Sequence, residues 1–431
     1  MTWGERLRAL RVDVTPLKTS RDFRLLFLAG TIFYLGGMVS YVAIPFQIYH
    51  LTGSNFAVGA IGLVELIPLV VFGLWGGALA DHVDRRRLLI WTGVAQAALT
   101  AVLALNAFTA DPSVPVVFGV AGLLTAAGAL QRPSREALMP RTVRFDQIPA
   151  GNALTAFGMQ IGALIGPAVG GLLAAYAGVG WCFLIDVIGL GLATLMYVLM
   201  RPYPHTLETT PPSLRSIAEG WRYAIGRKDL LGTYLVDIAA MVLAFPVVLF
   251  PALAQDVFGH PQLLGLLYSA ETVGAILATL LSGWTARVHR HGQAIVISAA
   301  AYGLFIGLVG LAPTIWVALG FLVFAGAADM ISGVFRSTVW NQTIPEQMRG
   351  RLAGIEMLSY SIGPIGGQVR SGLVADLWSV RGAIASGGFA CVAAVSITAV
   401  ALRDFWSYDD RTDEHAVAER ALRAAHDEHL D

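Results

Sequence analysis

"GGALADHVDRRR", residues 76–87, separates two long apolar runs, and five of its last seven positions are Asp or Arg. Elsewhere the chain is oily. Its 431 residues are 56% hydrophobic and 13% charged, with a mean hydropathy of +0.65. A soluble domain of this length needs a far more charged surface. The flanking runs reach the length of about 20 residues that crosses a bilayer as a helix. Residues 76–87 therefore read as a polar bend between two membrane-spanning helices.

Outward from this bend the same alternation recurs. It predicts spans near 23–48, 55–80, 88–109, 114–131, 150–177 and 180–200, then 229–254, 262–286, 293–311, 314–335, 351–377 and 380–402. The expected fold is all-α and integral to the membrane, with twelve transmembrane helices in two pseudo-symmetric six-helix bundles. Its parts are an N-terminal segment 1–22, a bundle 23–200, a linker 201–228, a bundle 229–402 and a tail 403–431. Of 29 Lys and Arg residues, 27 fall at the termini or on alternate connections; Arg381 lies on an opposite connection and Arg370 inside a span. Basic connections stay in the cytoplasm, so both termini are expected there, in a multi-pass protein of the bacterial cytoplasmic membrane. The first 20 residues hold no apolar h-region, so no cleavable signal peptide is expected. The stretch "SLRSIAEGWRYAIGRKDLL" (213–231) reads as an amphipathic helix on the inner surface, and 413–430 as a short solvated helix.

The halves echo each other. Glu65 stands 12 residues before Gly77, and Glu271 stands 12 before Gly283. "GPAVGG" (166–171) in span 5 is answered by "GPIGG" (363–367) in span 11. Two repeated halves joined by a linker are the organisation of a rocking transporter with its site near mid-membrane. Nothing points to an enzyme or a cofactor: there is no Walker loop, and no nucleophile or metal constellation. Cys182 and Cys391 sit in apolar runs and read as small core residues. His415, His426 and His429 are spaced too loosely for a metal. Zero net charge names no macromolecular partner; the expected partners are a small-molecule substrate, protons and lipid, with no nucleic acid and a monomeric chain.

Gly77, Leu79, Ala80, Asp81, Arg85 and Arg86 resemble the signature loop between helices 2 and 3 of the major facilitator superfamily. His82 and Asp84 depart from that pattern, where the family has a basic residue and a glycine. An acid at a helix carboxyl end is locally unfavourable. The resemblance implies that Gly77, Asp81, Arg85 and Arg86 form a conformational latch with the start of helix 11, near Arg349 and Arg351. Gly162, Gly166, Pro167, Gly170 and Gly171 resemble the helix 5 motif of the exporter branches, with Ala153 in place of its leading glycine. Small residues let helices approach closely, so the same motif also fits plain close packing. "PLKTSRDFRLLFLAG", "PFQIYHLTGSNFAVG", "RPSREALMPRTVRFDQIPAGNAL" and "GRLAGIEML" together resemble the bacterial drug:proton antiporter branch. That branch contains the enterobactin exporter and macrolide and tetracycline efflux pumps. The Arg that a related branch carries within helix 4 has no counterpart in "VPVVFGVAGLLTAAG".

Ionisable residues inside spans are costly and point to function. Glu65, Asp237, Glu271 and Arg370 are the candidates for proton coupling, with Glu65–Arg370 as an expected pair. Each acid also fits a paired structural role. Asp329 is expected to pair with Arg336, and Asp186 lies in the outer part of span 6. Tyr34, Tyr41, Met241 and Phe245 are candidates to line the substrate cavity, and equally ordinary packing residues. The expectation is a proton antiporter that exports a hydrophobic or amphipathic small molecule, a siderophore or drug-like compound, by alternating access. Nutrient import on the same fold, or a non-transporting membrane sensor or scaffold, are the alternatives.

Overall fold

The computed structural model describes residues 13–203, 222–223, 226–344 and 346–427, with only the backbone described for 74–82, 346–361 and 421–427. No strand occurs among the described residues. The long helices are α1 (Arg21–Thr52), α2 (Asn55–His82), α3 (Arg85–Phe108), α4 (Val114–Thr142), α5 (Ile148–Tyr176) and α6 (Val179–Leu199). After the linker come α7 (Lys228–Leu243), α8 (Leu264–Leu280), α9 (His291–Leu311), α10 (Ile315–Thr343), α11 (Glu346–Leu377) and α12 (Val380–Ala401). Among the described residues, 11 segments are long and apolar enough to cross a membrane; α11 is the twelfth long helix, consistent with the expected count. The amphipathic linker helix falls mostly outside the described residues. The tail helix is present as α13, Glu414–Asp427.

Starts and stops follow local chemistry. Thr314 accepts from the Val317 amide, Ser379 from Gly382 and Asp84 from Arg87, each satisfying a donor the helix leaves open. Several helices differ from the hydropathy reading. α4 runs to Thr142 rather than 131, and α10 to Thr343 rather than 335. Hydropathy marks where lipid contact stops, whereas hydrogen bonding carries the helix further. The span 229–254 is not one helix: α7 ends at Leu243, Pro246 interrupts it, and a 3-10 turn (Val247–Leu249) and a π turn (Leu253–Val257) follow. Proline removes a donor and crowds the preceding turn.

The chain divides into two compact units, Met1–Leu51 with Val64–Pro211, and Thr52–Leu63 with Pro212–Asp431. The first turns of α2 thus belong with the second unit in space, although 52–63 lies within 23–200 in sequence. In the first unit Phe23, Leu89, Leu138 and Tyr197 form a sealed core. In the second, Gly274 and Gly326 bring α8 against the α10 backbone, because a Cβ at either would strike main-chain atoms of the facing helix. The tail returns to this unit: buried Phe405 fills the space left by Gly232, and His289 pairs with Asp410 at 3.0 Å.

Candidate functional site

The opening bend takes on separate tasks. α2 runs through Gly77 and Asp81 to His82, but nothing is described of the Asp81 side chain or of the side chains at the start of α11 that would receive it. Arg85 opens α3. Arg86 donates to the carbonyls of Tyr197 and Val198, at 3.0 Å to the former, and so caps the carboxyl end of α6. Asp84, the departure from the family glycine, is the N-cap of α3, accepting from the Arg87 amide at 2.9 Å.

At its other end α2 is held by an acid the sequence reading did not single out. Asp376 of α11 accepts from the Asn55 and Phe56 amides at 2.9 and 3.0 Å, from Ser54 Oγ at 2.7 Å and from Asn55 Nδ2 at 3.0 Å. A carboxylate at a helix amino terminus satisfies open donors and opposes the helix dipole. Asp376→Ala is expected to lower stability by about 1–2 kcal/mol. Thermal melting of the detergent-purified chain checks this; an unchanged melting temperature would show the clamp to be dispensable.

In the first unit the helix 5 motif packs on α1. Gly158, Gly162, Gly166 and Gly170 recur every fourth residue on one face of α5. A Cβ at Gly162 would lie 2.6 Å from Tyr34 Cδ1, and one at Gly166 2.9 Å from the Leu35 carbonyl. A Cβ at Gly170 would lie 3.0 Å from the Val39 carbonyl. Pro167 and Gly171 are buried in the same helix, which continues through the proline. Gly166→Leu is expected to cost about 1–3 kcal/mol through overpacking, read as a lower melting temperature, with Gly166→Ala falling between.

This seam holds Tyr34 on the wall of a cavity of about 480 Å³ formed by α1, α4 and α5. Phe23, Phe27 and Phe33 line it from α1, and Gln131, Arg132, Arg135 and Glu136 from α4. The arginines come from the part of α4 beyond residue 131 that hydropathy assigns to a loop. Tyr41, two turns further along α1, is 39% exposed and does not line this cavity. Met241 and Phe245 belong to the second unit, where their Cβ atoms stand 2.9 and 3.0 Å from the places a Cβ would occupy on Gly363 and Gly367 of α11. Packing on a glycine seam, not this cavity, is what the structure shows for them.

The charges of the second unit form a string. Arg336 lies inside α10, buried, rather than on a connection as its basic character suggests. Its Nη1 donates to Asp237 Oδ1, and its Nη2 stands 3.9 Å from Asp329 Oδ1. One turn away Trp340 Nε1 donates to Thr233 Oγ1 at 2.8 Å, and its ring stacks on Tyr234, which fixes the register of α7 against α10. Glu271 of α8 abuts α10 at Gly326, one turn before Asp329. Its Oε1 is sealed from solvent and has no hydrogen-bond partner. The sequence reading reached each of these acids and missed Arg336 as the partner of Asp237. A basic residue four positions before Trp340 in an apolar stretch was the available signal.

One expectation changes. Arg370 donates to the Leu243 and Ala383 carbonyls at 2.9 and 3.2 Å and to Ser386 Oγ at 3.3 Å. No carboxylate lies within ion-pair distance of it among the described residues, so backbone oxygens at the broken end of α7 and in the first turn of α12 replace the expected acidic partner. In the first unit Asp186 accepts from Ser40 and is buried against Gly36 of α1. Glu65 sits on α2, half-buried.

A family model described as transmembrane secretion effector matches residues 12–428. The enterobactin exporter of Shigella flexneri is 30% identical over 391 residues, covering 87% of this chain and 90% of that protein. The enterobactin exporter of Escherichia coli O81 is 29% identical over the same length. Solved structures share the fold at low identity. A bacterial homologue of the iron transporter ferroportin has a TM-score of 0.69 at 14% identity, over 90% of this chain and 99% of that one. The nucleoside transporter NupG has a TM-score of 0.68 at 14% identity, over 90% of this chain and 100% of that one. The chain is a multi-pass membrane transporter of the major facilitator type and belongs to the transmembrane secretion effector family.

Proposed function

We propose that this transporter exports a hydrophobic or amphipathic small molecule, a siderophore or drug-like compound, across the bacterial cytoplasmic membrane by proton antiport. The observation that carries the coupling is the string Glu271–Asp329–Arg336–Asp237. It ends in a carboxyl oxygen that is sealed and unpartnered. An ionisable group sealed within a span without a partner marks a proton pathway. A proton taken up there removes a charge from the set that Arg336 balances. Its release restores that charge and biases the unit towards its other arrangement. The similarity to enterobactin exporters supports the direction of transport and the cargo class. The two repeated halves, divided near 200 and 229, act as the moving bodies, and the basic connections keep both termini cytoplasmic. Asp81 with Arg85 remains the proposed inner latch, and Glu65 a further proton site.

Everted vesicles holding a proton gradient test the reading. Enterobactin, erythromycin and tetracycline are added in turn, and the gradient is followed with acridine orange. At least one compound should dissipate the gradient beyond vesicles lacking the chain, and nigericin should abolish its uptake. Uptake that survives nigericin, or no response to any compound, would sink the proposal.

A further inference from the structure

We infer that the cavity of the first unit is built for an aromatic organic anion, recognised by Arg135, Phe33 and Gln131. The inference rests on the reading of the chain as a small-molecule exporter and names the chemical class of one part of its cargo.

The cavity's charges do not balance. Among the described residues its lining holds Arg132, Arg135 and a single carboxylate, Glu136. Arg132 meets Glu136 at 2.9 Å, and both are largely exposed. Arg135 is half-buried, and no carboxylate lies within ion-pair distance of it among the described residues. Its guanidinium stands 5.6 Å from the centre of the Phe33 ring, an attraction that positions the cation without neutralising it. One turn earlier on the same helix, Gln131 is only 2% exposed, and its Nε2 has no hydrogen-bond partner. A buried donor without an acceptor is costly, and here it lies in the wall of the cavity. Two donors on successive turns of α4 line one cavity, and no acceptor meets them among the described residues, which is the complement of a carboxylate or phenolate.

The remaining wall sets the rest of the ligand. Phe27, Phe33 and Tyr34 face the cavity from α1. Flat rings present the surface on which an aromatic body stacks. About 480 Å³ is room for a molecule of drug size. A neutral occupant would desolvate Arg135 without pairing it, and a cationic one would meet it as a like charge. The cavity therefore discriminates by charge as well as by shape, and against cationic amphiphiles.

The test is equilibrium binding of three isosteric probes to the full chain in nanodiscs of uncharged lipid: 1-naphthoate, 1-naphthalenemethanol and 1-naphthylmethylammonium. Naphthoate should bind at least tenfold tighter than the alcohol, and the ammonium more weakly than either. Arg135→Gln should bring naphthoate down to the level of the alcohol, and Arg135→Lys should keep part of the preference. Equal binding of all three probes, no naphthoate binding, or a preference that survives Arg135→Gln would overturn the inference. Should Arg135→Gln fail to fold, the ranking of probes on the unaltered chain still decides. Binding needs no transport, so the two readings fail separately. Anion-selective binding without gradient-linked export would refute the exporter, and export without anion selectivity would refute this site.

Discussion

Arg336→Ala is expected to lower the stability of the protein by about 3–5 kcal/mol, the cost of stripping one member from a buried ion pair. Arg336 is 4% exposed and Asp237 2%. Outside water neither charge is screened, and the alanine variant leaves the carboxylate of Asp237 without the cation that balances it. The same principle predicts an asymmetry. Asp237→Asn combined with Arg336→Met removes both charges and is expected to recover much of the loss, since replacing a buried pair with neutral groups is often close to neutral. A double-mutant cycle measured by thermal melting in detergent checks both statements. Arg336→Ala within about 1 kcal/mol of the unaltered chain would show that the pair does not hold α7 against α10.

Glu271→Gln is expected to abolish gradient-driven export while leaving the fold intact. The sealed Oε1 makes no hydrogen bond that the substitution could break, and the shape of the side chain is kept. A change confined to packing would lower melting temperature and transport together. Loss of a proton site instead removes the response to the gradient and spares exchange of labelled for unlabelled cargo across the same membrane. Vesicles carrying Glu271→Gln should therefore fail the acridine orange assay and pass the exchange assay. Retained gradient-driven export would move the coupling to another acid of the string, with Asp329→Asn the next variant to make. Glu271→Asp, which keeps the carboxyl on a shorter stem, should restore part of the coupling.

Much of the architecture was legible without coordinates because it rests on local properties. An apolar run about 20 residues long has few options but to cross the bilayer as a helix. Glycines four residues apart fall on one helical face, so the seam at Gly162, Gly166 and Gly170 could be read as a close approach before its partner, α1, was known. The basic connections marked the ends of the lipid-facing runs for the same local reason. What could not be read was where helices end beyond the lipid. Arg132, Arg135 and Arg336 all follow the last apolar residue of a run, and each was taken for a connection. Each proves helical, because a helix continues through polar residues wherever its backbone bonds remain satisfied and packing supports it.

The residues of the opening bend show the same division. Sequence alone determined that a polar break within 76–87 separates two spans, that twelve long helices repeat in two halves, and that acids lie within apolar surroundings. Tertiary structure alone decided their partners. Arg86 serves the end of α6, Asp84 caps α3, Asp376 holds the far end of α2, and Arg336 rather than a loop residue answers Asp237. Burial and periodicity are written into neighbours along the chain. Pairing joins residues as far apart as Asp237 and Arg336, and no local pattern specifies which charge a folded helix will bring to another.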